Sequence, residues 1–527
     1  MTESGEGEAI EDKLVKPLTY TTFRYYLATG VIGLVILWGL FAYLTQLMEG
    51  LGVTGLNTPI LWGMYISSFI FFSGVSMAGT LISAVLRITK VEWRRPITRI
   101  AEAVTVFALL LTIMQIFFDM GRPDRLFHIL FYGRFQSPLV WDLISIPTYL
   151  LASILYLYVA MIPDFSIFLV KGKVTGWKSK LYELLSLNWR ATEEQVERLE
   201  KALKVMASLV IPIAVSVHTV VSWTLAMNLR PSWHSAVFGP YFVTGAIYSG
   251  IAAIITAMWF YRKIFKTEEY IKREHFKNLG WLLLILNLAL IYMVTNHILT
   301  DYYGGEVADI AVLNSLFFEE WAPVFWSFIS TDIIIPILIL ATVLLYRKEW
   351  VVNGTFVASI IVNIGMFLER YIIVAPTLSR PFLPYPRAFY TPTWVELSIL
   401  AASVATFCFL FFVFVKLIPF IPVWEVKELD RNLDLFGRFC RGSPRQSRSL
   451  RKNWLPRVLL LLVICIYGYS LYIIARMIII PIYTPEGMVA ASEGFKLVAA
   501  PVTAVISIMW FAMGYAIYQL YKITEVV

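Results

Sequence analysis

A helical chain that crosses a lipid bilayer about twelve times, with no β-structure, is the architecture implied by three features of the sequence. The first is composition: of 527 residues, 58% are apolar and 15% aromatic, while only 15% are charged. The mean hydropathy is +0.70, too apolar for a water-soluble protein of this length. The second is that apolar runs of about 20 residues recur along the chain, the length a helix needs to cross roughly 30 Å of hydrocarbon. The third is that basic residues gather in alternate loops between those runs.

In chain order, residues 1–24 form an acidic segment with Glu3, Glu6, Glu8, Glu11 and Asp12. It lacks the basic start and short apolar core of a secretory signal, so no cleaved signal is expected. Apolar runs bounded by charge or by Pro and Gly then predict helices near 25–48, 60–87, 97–118, 138–161, 203–228 and 238–261. Six more are predicted near 279–300, 321–346, 351–374, 393–416, 456–478 and 497–521. Within the long segment 162–202, the charge spacing of Glu193, Glu194, Glu197 and Glu200 against Arg198, Lys201 and Lys204 predicts a surface helix over residues 191–204.

The even-numbered loops hold Arg87, Lys90, Arg94 and Arg95; Lys171, Lys173, Lys178 and Lys180; Arg262, Lys263, Lys266, Lys272 and Arg273; Arg347 and Lys348; and the basic stretch from Arg431 to Arg457. The segment 301–320 is acidic instead, with Asp301, Glu306, Asp309, Glu319 and Glu320. By the positive-inside rule both termini are cytoplasmic, in a cell membrane. The net charge of +8 is then a topology signal, and nucleic acid is not an expected partner. Anionic lipid is a natural neighbour for the stretch that contains Arg438, Arg441, Arg445, Arg448, Arg451 and Lys452.

Residues 59–74, with Trp62, Gly63, Tyr65 and Ser73, are faintly echoed by 240–250, with Tyr241, Gly245, Tyr248 and Ser249. If helices two to five repeat as six to nine, an even number of spans separates the copies. The repeat is then parallel, unlike the inverted repeats of many transporters.

Polar residues inside a membrane are costly, an Asp at a helix centre by about 2.5–3.5 kcal/mol on insertion scales, so their positions point to function. Asp119 closes helix three just before Gly121, Arg122 and Pro123; Asp142 lies one turn into helix four, after Trp141; His218 lies towards the outer part of helix five, before Trp223. With Trp62 at the start of helix two, they lie towards the outer surface. An imidazole and carboxylates beside an aromatic wall suit a quinone, whose two ring oxygens need hydrogen bonds and proton exchange. The small residues Gly63, Ser67, Gly74, Ala78, Gly79 and Ser83 let helix two pack closely beside grooves for an isoprenoid tail. A lone intramembrane His also serves as an interhelical hydrogen-bonder, and Trp62, Trp141 and Trp223 also fit an aromatic belt.

At these residues the sequence resembles the NrfD/PsrC family, membrane subunits of polysulfide reductase-like enzymes and of alternative complex III. The likeness runs from Trp62-Gly63 through Asp119-Met-Gly-Arg-Pro123, Ser137-Pro138-Leu-Val-Trp141, His218 and Pro231-Ser-Trp233-His234. It continues through Glu369-Arg370-Tyr371 and Tyr390-Thr-Pro392-Thr393 to Glu396, and is greatest to the longer, alternative complex III type.

The resemblance implies two consecutive four-helix bundles, over residues 60–228 and 229–375. A first helix and loop over 25–59, a tenth helix over 376–416, a basic loop over 417–455 and a C-terminal helix pair over 456–527 flank them. It implies a quinone pocket in the first bundle for menaquinone or ubiquinone as an exchangeable substrate. It also implies a partner iron–sulfur electron-transfer subunit, accompanied by a molybdopterin or cytochrome subunit, with no haem or iron–sulfur cluster in this chain. The expected roles are proton exchange at His218, Asp142 and Asp119, with Asp142 orienting the imidazole. Quinone contacts are expected from Trp62, Arg122, Trp141 and His218.

Cys408, Cys440 and Cys465 have no CxxC spacing, which agrees with the absence of a cluster, and no metal site is predicted. In the second bundle, Asp332 near the centre of helix eight, with His297, Asn363 and Glu369, forms a candidate proton path; a structural hydrogen-bond network is the other reading. The functional alternative is a twelve-span secondary transporter. Its usual long linker after helix six is missing, since the long inner loops follow helices four and ten.

Overall fold

The computed structural model describes residues 21–425 apart from 135–136, 171, 173 and 383–387, together with the isolated positions 18, 458, 514, 515 and 518. The expected helices at 456–478 and 497–521, the basic stretch 431–457, Cys440, Cys465, Lys171 and Lys173 lie outside the described residues. Ten helices within it are long and apolar enough to span a bilayer. The protein is a multi-pass membrane protein, helical throughout the described residues.

The spans are α1 (Phe23–Glu49), α2 (Met64–Ile88), α3 (Thr98–Asp119) and α4 (Pro138–Val170). A short amphipathic α5 (Trp177–Leu185) precedes α6 (Glu193–Ala226) and α7 (Phe238–Phe265). The chain continues through α8 (Arg273–Gly304), the short α9 (Val307–Phe317), α10 (Ala322–Tyr346), α11 (Val351–Ser379) and α12 (Trp394–Leu417).

The ten expected spans before residue 417 are all found, with two departures around residues 162–204. α4 runs on to Val170, because Pro163 is accommodated inside the helix and Asp164 just beyond it is buried in an ion pair with Arg99. The expected surface helix over 191–204 is not separate. Thr192 caps it by accepting from the Gln195 amide at 3.3 Å, and with no breaker after Lys204 it continues into the fifth span as a helix of 34 residues. Leu199, Ala202, Leu203 and Met206 already form a buried stripe there, so one packing surface serves both parts.

Helices α2, α3, α4 and α6 pack around one another, as do α7, α8, α10 and α11, and the two groups meet where α2 and α6 lie against α7, and α2 against α11. α1 packs along α12 outside them. The α2–α7 contact is made by small residues. A Cβ on Gly250 would stand 2.8 Å from the Val75 carbonyl oxygen and collide with Ala78, and one on Gly74 would stand 3.3 Å from Ser249 Oγ. Backbone-to-backbone approach of this kind replaces the hydrophobic drive that lipid cannot supply. The residues of the faint sequence echo therefore meet at the joint between the two groups.

The alternating direction of the spans puts the basic loops at one end of the protein, here the basic end. The segments after Asp119, Ala226, Gly304 and Ser379 lie at the other, the carboxylate end. At the basic end the segment after α12 is tied down by buried charge. Asp164 accepts from Arg99 Nη2 at 2.6 Å and from the Trp424 amide at 2.8 Å. Glu425 bridges Arg87 Nη2 at 2.6 Å and Arg94 Nη1 at 2.7 Å, while Arg95 donates to its carbonyl at 2.7 Å.

Burial alone would push the Glu425 carboxyl up, but Arg87 and then Arg94 hold it at about 2 against an ordinary 4.5. A depressed folded-state pKa contributes stability that is complete above pH 4.5 and lost as pH falls through about 2. The full contribution is roughly 3 kcal/mol. The thermal midpoint of Glu425→Gln is therefore expected to fall well below that of the parent at pH 6, with the gap narrowing steadily as both are measured at lower pH. A gap independent of pH would show that the ion pairs are not its source.

Candidate functional site

Trp62 is held in place by a chain of bonds that begins far away in sequence. Gly63 caps α2 with no side chain because the ring of Tyr390 occupies the position of its Cβ. The Tyr390 hydroxyl accepts from the Met64 amide at 2.8 Å and donates to Glu396. Glu396 in turn accepts from the Gly55 amide at 2.7 Å and from the Thr393 amide at 3.0 Å, as the first-turn partner of a capping box. The Tyr390 to Glu396 stretch thus fixes the entry of α2. Trp62 lies just before it, half-buried and stacked on Trp233 at 5.9 Å and 25°. Trp233 is fully buried and donates through Nε1 to the Ile373 carbonyl at 2.8 Å.

Asp142 and His218 are both buried in the first group of helices, but they are not hydrogen-bonded to each other. Asp142 Oδ2 accepts from Thr224 Oγ1 at 2.8 Å, and Thr224 lies six residues, about 9 Å, beyond His218 along α6. The expected orientation of the imidazole by Asp142 is therefore replaced by a tie between Asp142 and Thr224. Oδ1 of Asp142 and Nε2 of His218 are buried without a hydrogen-bond partner. Between these levels Trp141 meets Trp223 edge-to-face at 6.5 Å.

Asp119 and Arg122 depart from their expected setting. Among the described residues Asp119 forms no ion pair; it lies near Glu396 and Tyr65, towards α12. Arg122 is 65% exposed and pairs with Asp124 at 2.9 Å, because the turn after Gly121 points it outward. It lies too far out in solvent to tune a buried site.

Among charged groups, Arg370 of α11 is the one whose charge reaches His218. Arg370 is fully buried, its guanidinium carbon 4.5 Å from the ring centre of Phe242 and Nη1 3.5 Å from Glu369. Space for it comes from Gly245, where a Cβ would stand 2.6 Å from Nη2. His218 lies eight residues before the end of α6 and Arg370 nine before the end of α11, so both stand about 12–14 Å inside the carboxylate end. The joint between the two groups of helices is thereby charged, and Arg370 is the residue that sequence reasoning left without a role. An Arg inside an apolar run was the available signal.

Beyond Arg370 lie Glu369 and Asp332, both fully buried, with Tyr241 beside Glu369. Asp332 lies in a π-helical stretch, Ile329–Ile334, just before Pro336. Proline has no N–H, so the carbonyl four residues earlier loses its helical donor. That carbonyl belongs to Asp332, and it accepts instead from Tyr248 Oη at 2.9 Å and Asn287 Nδ2 at 2.9 Å. Gly365 lets α11 press against this stretch, since a Cβ there would stand 2.6 Å from that of Asp332. The Asp332 and Glu369 carboxyl oxygens have no hydrogen-bond partner.

Of the remaining candidates, Asn363 donates to Ser359 of its own helix at 2.8 Å and stays out of this cluster. His297 stands 3.8 Å from Asp301 and, with Tyr241, Trp233 and Ser232, lines a cavity of about 50 Å³. The cavity has room for a few waters and is too small for a quinone ring.

The family described as "Polysulphide reductase, NrfD" matches residues 52–381. The chain is 25% identical over 342 residues to the C membrane subunit of a putative dimethyl sulfoxide reductase of Halobacterium salinarum, covering 64% of this chain and 74% of that one. It is 24% identical over 425 residues to the C subunit of the selenate reductase of Mesobacillus selenatarsenatis, covering 77% and 95%. It is 25% identical over 446 residues to the Hdr-like menaquinol oxidoreductase integral membrane subunit of Archaeoglobus fulgidus, covering 79% and 98%.

The bonds at the Asp332 carbonyl separate backbone support from carboxyl chemistry. Tyr248→Phe removes one of its two donors and is expected to cost about 1 kcal/mol. Asp332→Asn keeps the carbonyl and both donors, so its detergent-solubilised thermal midpoint is expected to stay within error of the parent. A larger loss in Asp332→Asn than in Tyr248→Phe would mean that the side chain, and not the carbonyl, holds α10 in place.

Proposed function

The chain belongs to the NrfD polysulphide reductase family, and from that premise we propose that it oxidises or reduces a membrane quinone within a respiratory oxidoreductase. It is a membrane subunit of such an oxidoreductase, as its relatives are by name. The partner in this reading is an iron–sulfur electron-transfer subunit, itself joined to a molybdopterin or cytochrome subunit. Of menaquinone and ubiquinone, the name of the Archaeoglobus relative favours menaquinone. The observation that supports the reading best is the buried, unpartnered Nε2 of His218 within the first group of helices.

An imidazole there accepts a proton from a quinol hydroxyl or donates one to a quinone oxygen. Trp62, Trp141 and Trp223 provide the apolar wall, and Asp142 a second proton-exchanging group nearer the surface. Glu369 and Asp332 extend the route into the second group. Tyr241 leads from Glu369 to the water-sized cavity lined by His297 and Asp301.

His218→Phe is expected to insert and assemble normally, since its surroundings are largely apolar, and to lower quinol turnover by about 10² to 10⁴. Wild-type turnover with intact quinone binding would overturn the assignment. The carboxylate end, in this reading, faces outward and receives the electron-transfer partner, because electrons tunnel poorly over long distances. Cysteines introduced one at a time at Tyr303 and Val307, both strongly exposed, are expected to react with a membrane-impermeant maleimide from outside intact cells. Labelling only after the membrane is opened would reverse the orientation and remove the docking proposal with it.

A further inference from the structure

The geometry points to a divalent-cation site, suited to Zn²⁺, formed by His234, Glu306 and Asp309 at the carboxylate end of the second group of helices. One potential ligand atom from each of the three lies within 4.8 Å of the others. His234 Nε2 stands 3.5 Å from Asp309 Oδ2. Zinc bonds of about 2.0–2.2 Å to nitrogen and oxygen place neighbouring tetrahedral ligands roughly 3.4 Å apart, so this pair is already at ligand spacing. Glu306 is exposed at the start of α9, and its flexible side chain can close the remaining distance.

The site is built on both sides. Asp309 is buried, and its Oδ1 accepts from the Ser232 amide at 2.8 Å, which leaves Oδ2 directed to His234. Ser232 has φ of 60°, a left-handed conformation costly for a residue with a Cβ, and the bond from its amide to Asp309 holds it. Asp301 is 8% exposed and its Oδ2 has no hydrogen-bond partner. With His297 and Ser232 it lines the cavity of about 50 Å³. An unpaired buried carboxylate oxygen thus shares a cavity with Ser232, the residue whose amide holds Asp309, and from there a second layer would be supplied.

The donor set selects the ion. One imidazole with carboxylates suits zinc and neighbouring first-row divalent ions, whereas calcium and magnesium prefer all-oxygen sites. The partial positive charge at the start of α9, about half a unit, opposes a cation but is outweighed by two full carboxylate charges. Because Trp233 lies between Ser232 and His234, a bound ion would brace the loop that carries the Trp62–Trp233 stack. This site does not depend on the quinone reading.

The test uses the full chain, purified through a histidine-free tag, stripped with chelator and titrated with Zn²⁺ alone. Bound metal is measured by equilibrium dialysis, and the site geometry by the visible spectrum of the Co²⁺ form. One equivalent is expected to bind with a tetrahedral cobalt spectrum. His234→Ala and Glu306→Gln should each weaken binding by about 10- to 100-fold, and His275→Ala should leave it unchanged. Asp309→Asn keeps an oxygen for the Ser232 amide, so weakened binding with an unchanged thermal midpoint in that variant separates ligand loss from misfolding. No stoichiometric binding by the parent chain, or equal affinity in His234→Ala and Glu306→Gln, would overturn the site.

Discussion

The fully buried guanidinium of Arg370 constrains more of this protein than any other single group. A charge at that depth is tolerated only where the protein replaces the water it has lost, and each neighbour has a part in doing so. Glu369 supplies opposite charge at 3.5 Å, Phe242 offers the face of its ring, and Gly245 withholds a side chain so that the guanidinium fits. These groups come from α7 and α11, so the second group of helices encloses the guanidinium by itself. A joint packed by Gly74, Ala78 and Gly250 brings that group against the first.

A second constraint acts on the backbone. In hydrocarbon no carbonyl can be left to water, so a proline inside a span must be answered elsewhere in the protein. Pro336 frees the Asp332 carbonyl, and Tyr248 and Asn287 answer it. The π-helical turn this permits carries the Asp332 side chain into the cluster with Glu369. Local backbone irregularity and buried ionisable side chains therefore coincide, as they often do where π-turns interrupt helices.

The spans were legible because apolar length and loop charge are one-dimensional signals. Apart from α4 and α6, each of the ten described spans lies within a few residues of its expected place; α4 runs on because the buried pair of Arg99 with Asp164 overrides a terminator, and α6 starts early because nothing breaks the helix after Lys204. The candidate residues could be named one by one, but their contacts could not. His218 and Asp142 were visible as costly polar residues, yet the sequence could not tell that a six-residue offset along α6 gives Asp142 to Thr224. Asp119 was grouped with His218 by depth alone, and depth says nothing about which side of a helix a residue faces. Arg370 stood in view beside Glu369, but the ring it lies over, Phe242, is 128 positions away in the chain, a separation that no periodicity encodes.

This placement bears on how charge could move in the proposed reaction. A quinone that gives up electrons must also give up protons, and the two need not leave by the same path. Electron transfer asks only for proximity to a partner at the carboxylate end, where Trp62 and Trp233 are stacked. Protons need a series of groups that exchange them at short range. In the proposed route these are His218 in the first group of helices, and Glu369, Tyr241 and the cavity beside His297 in the second. Because Arg370 cannot give up its own proton, it acts on that series as a fixed charge and not as a carrier.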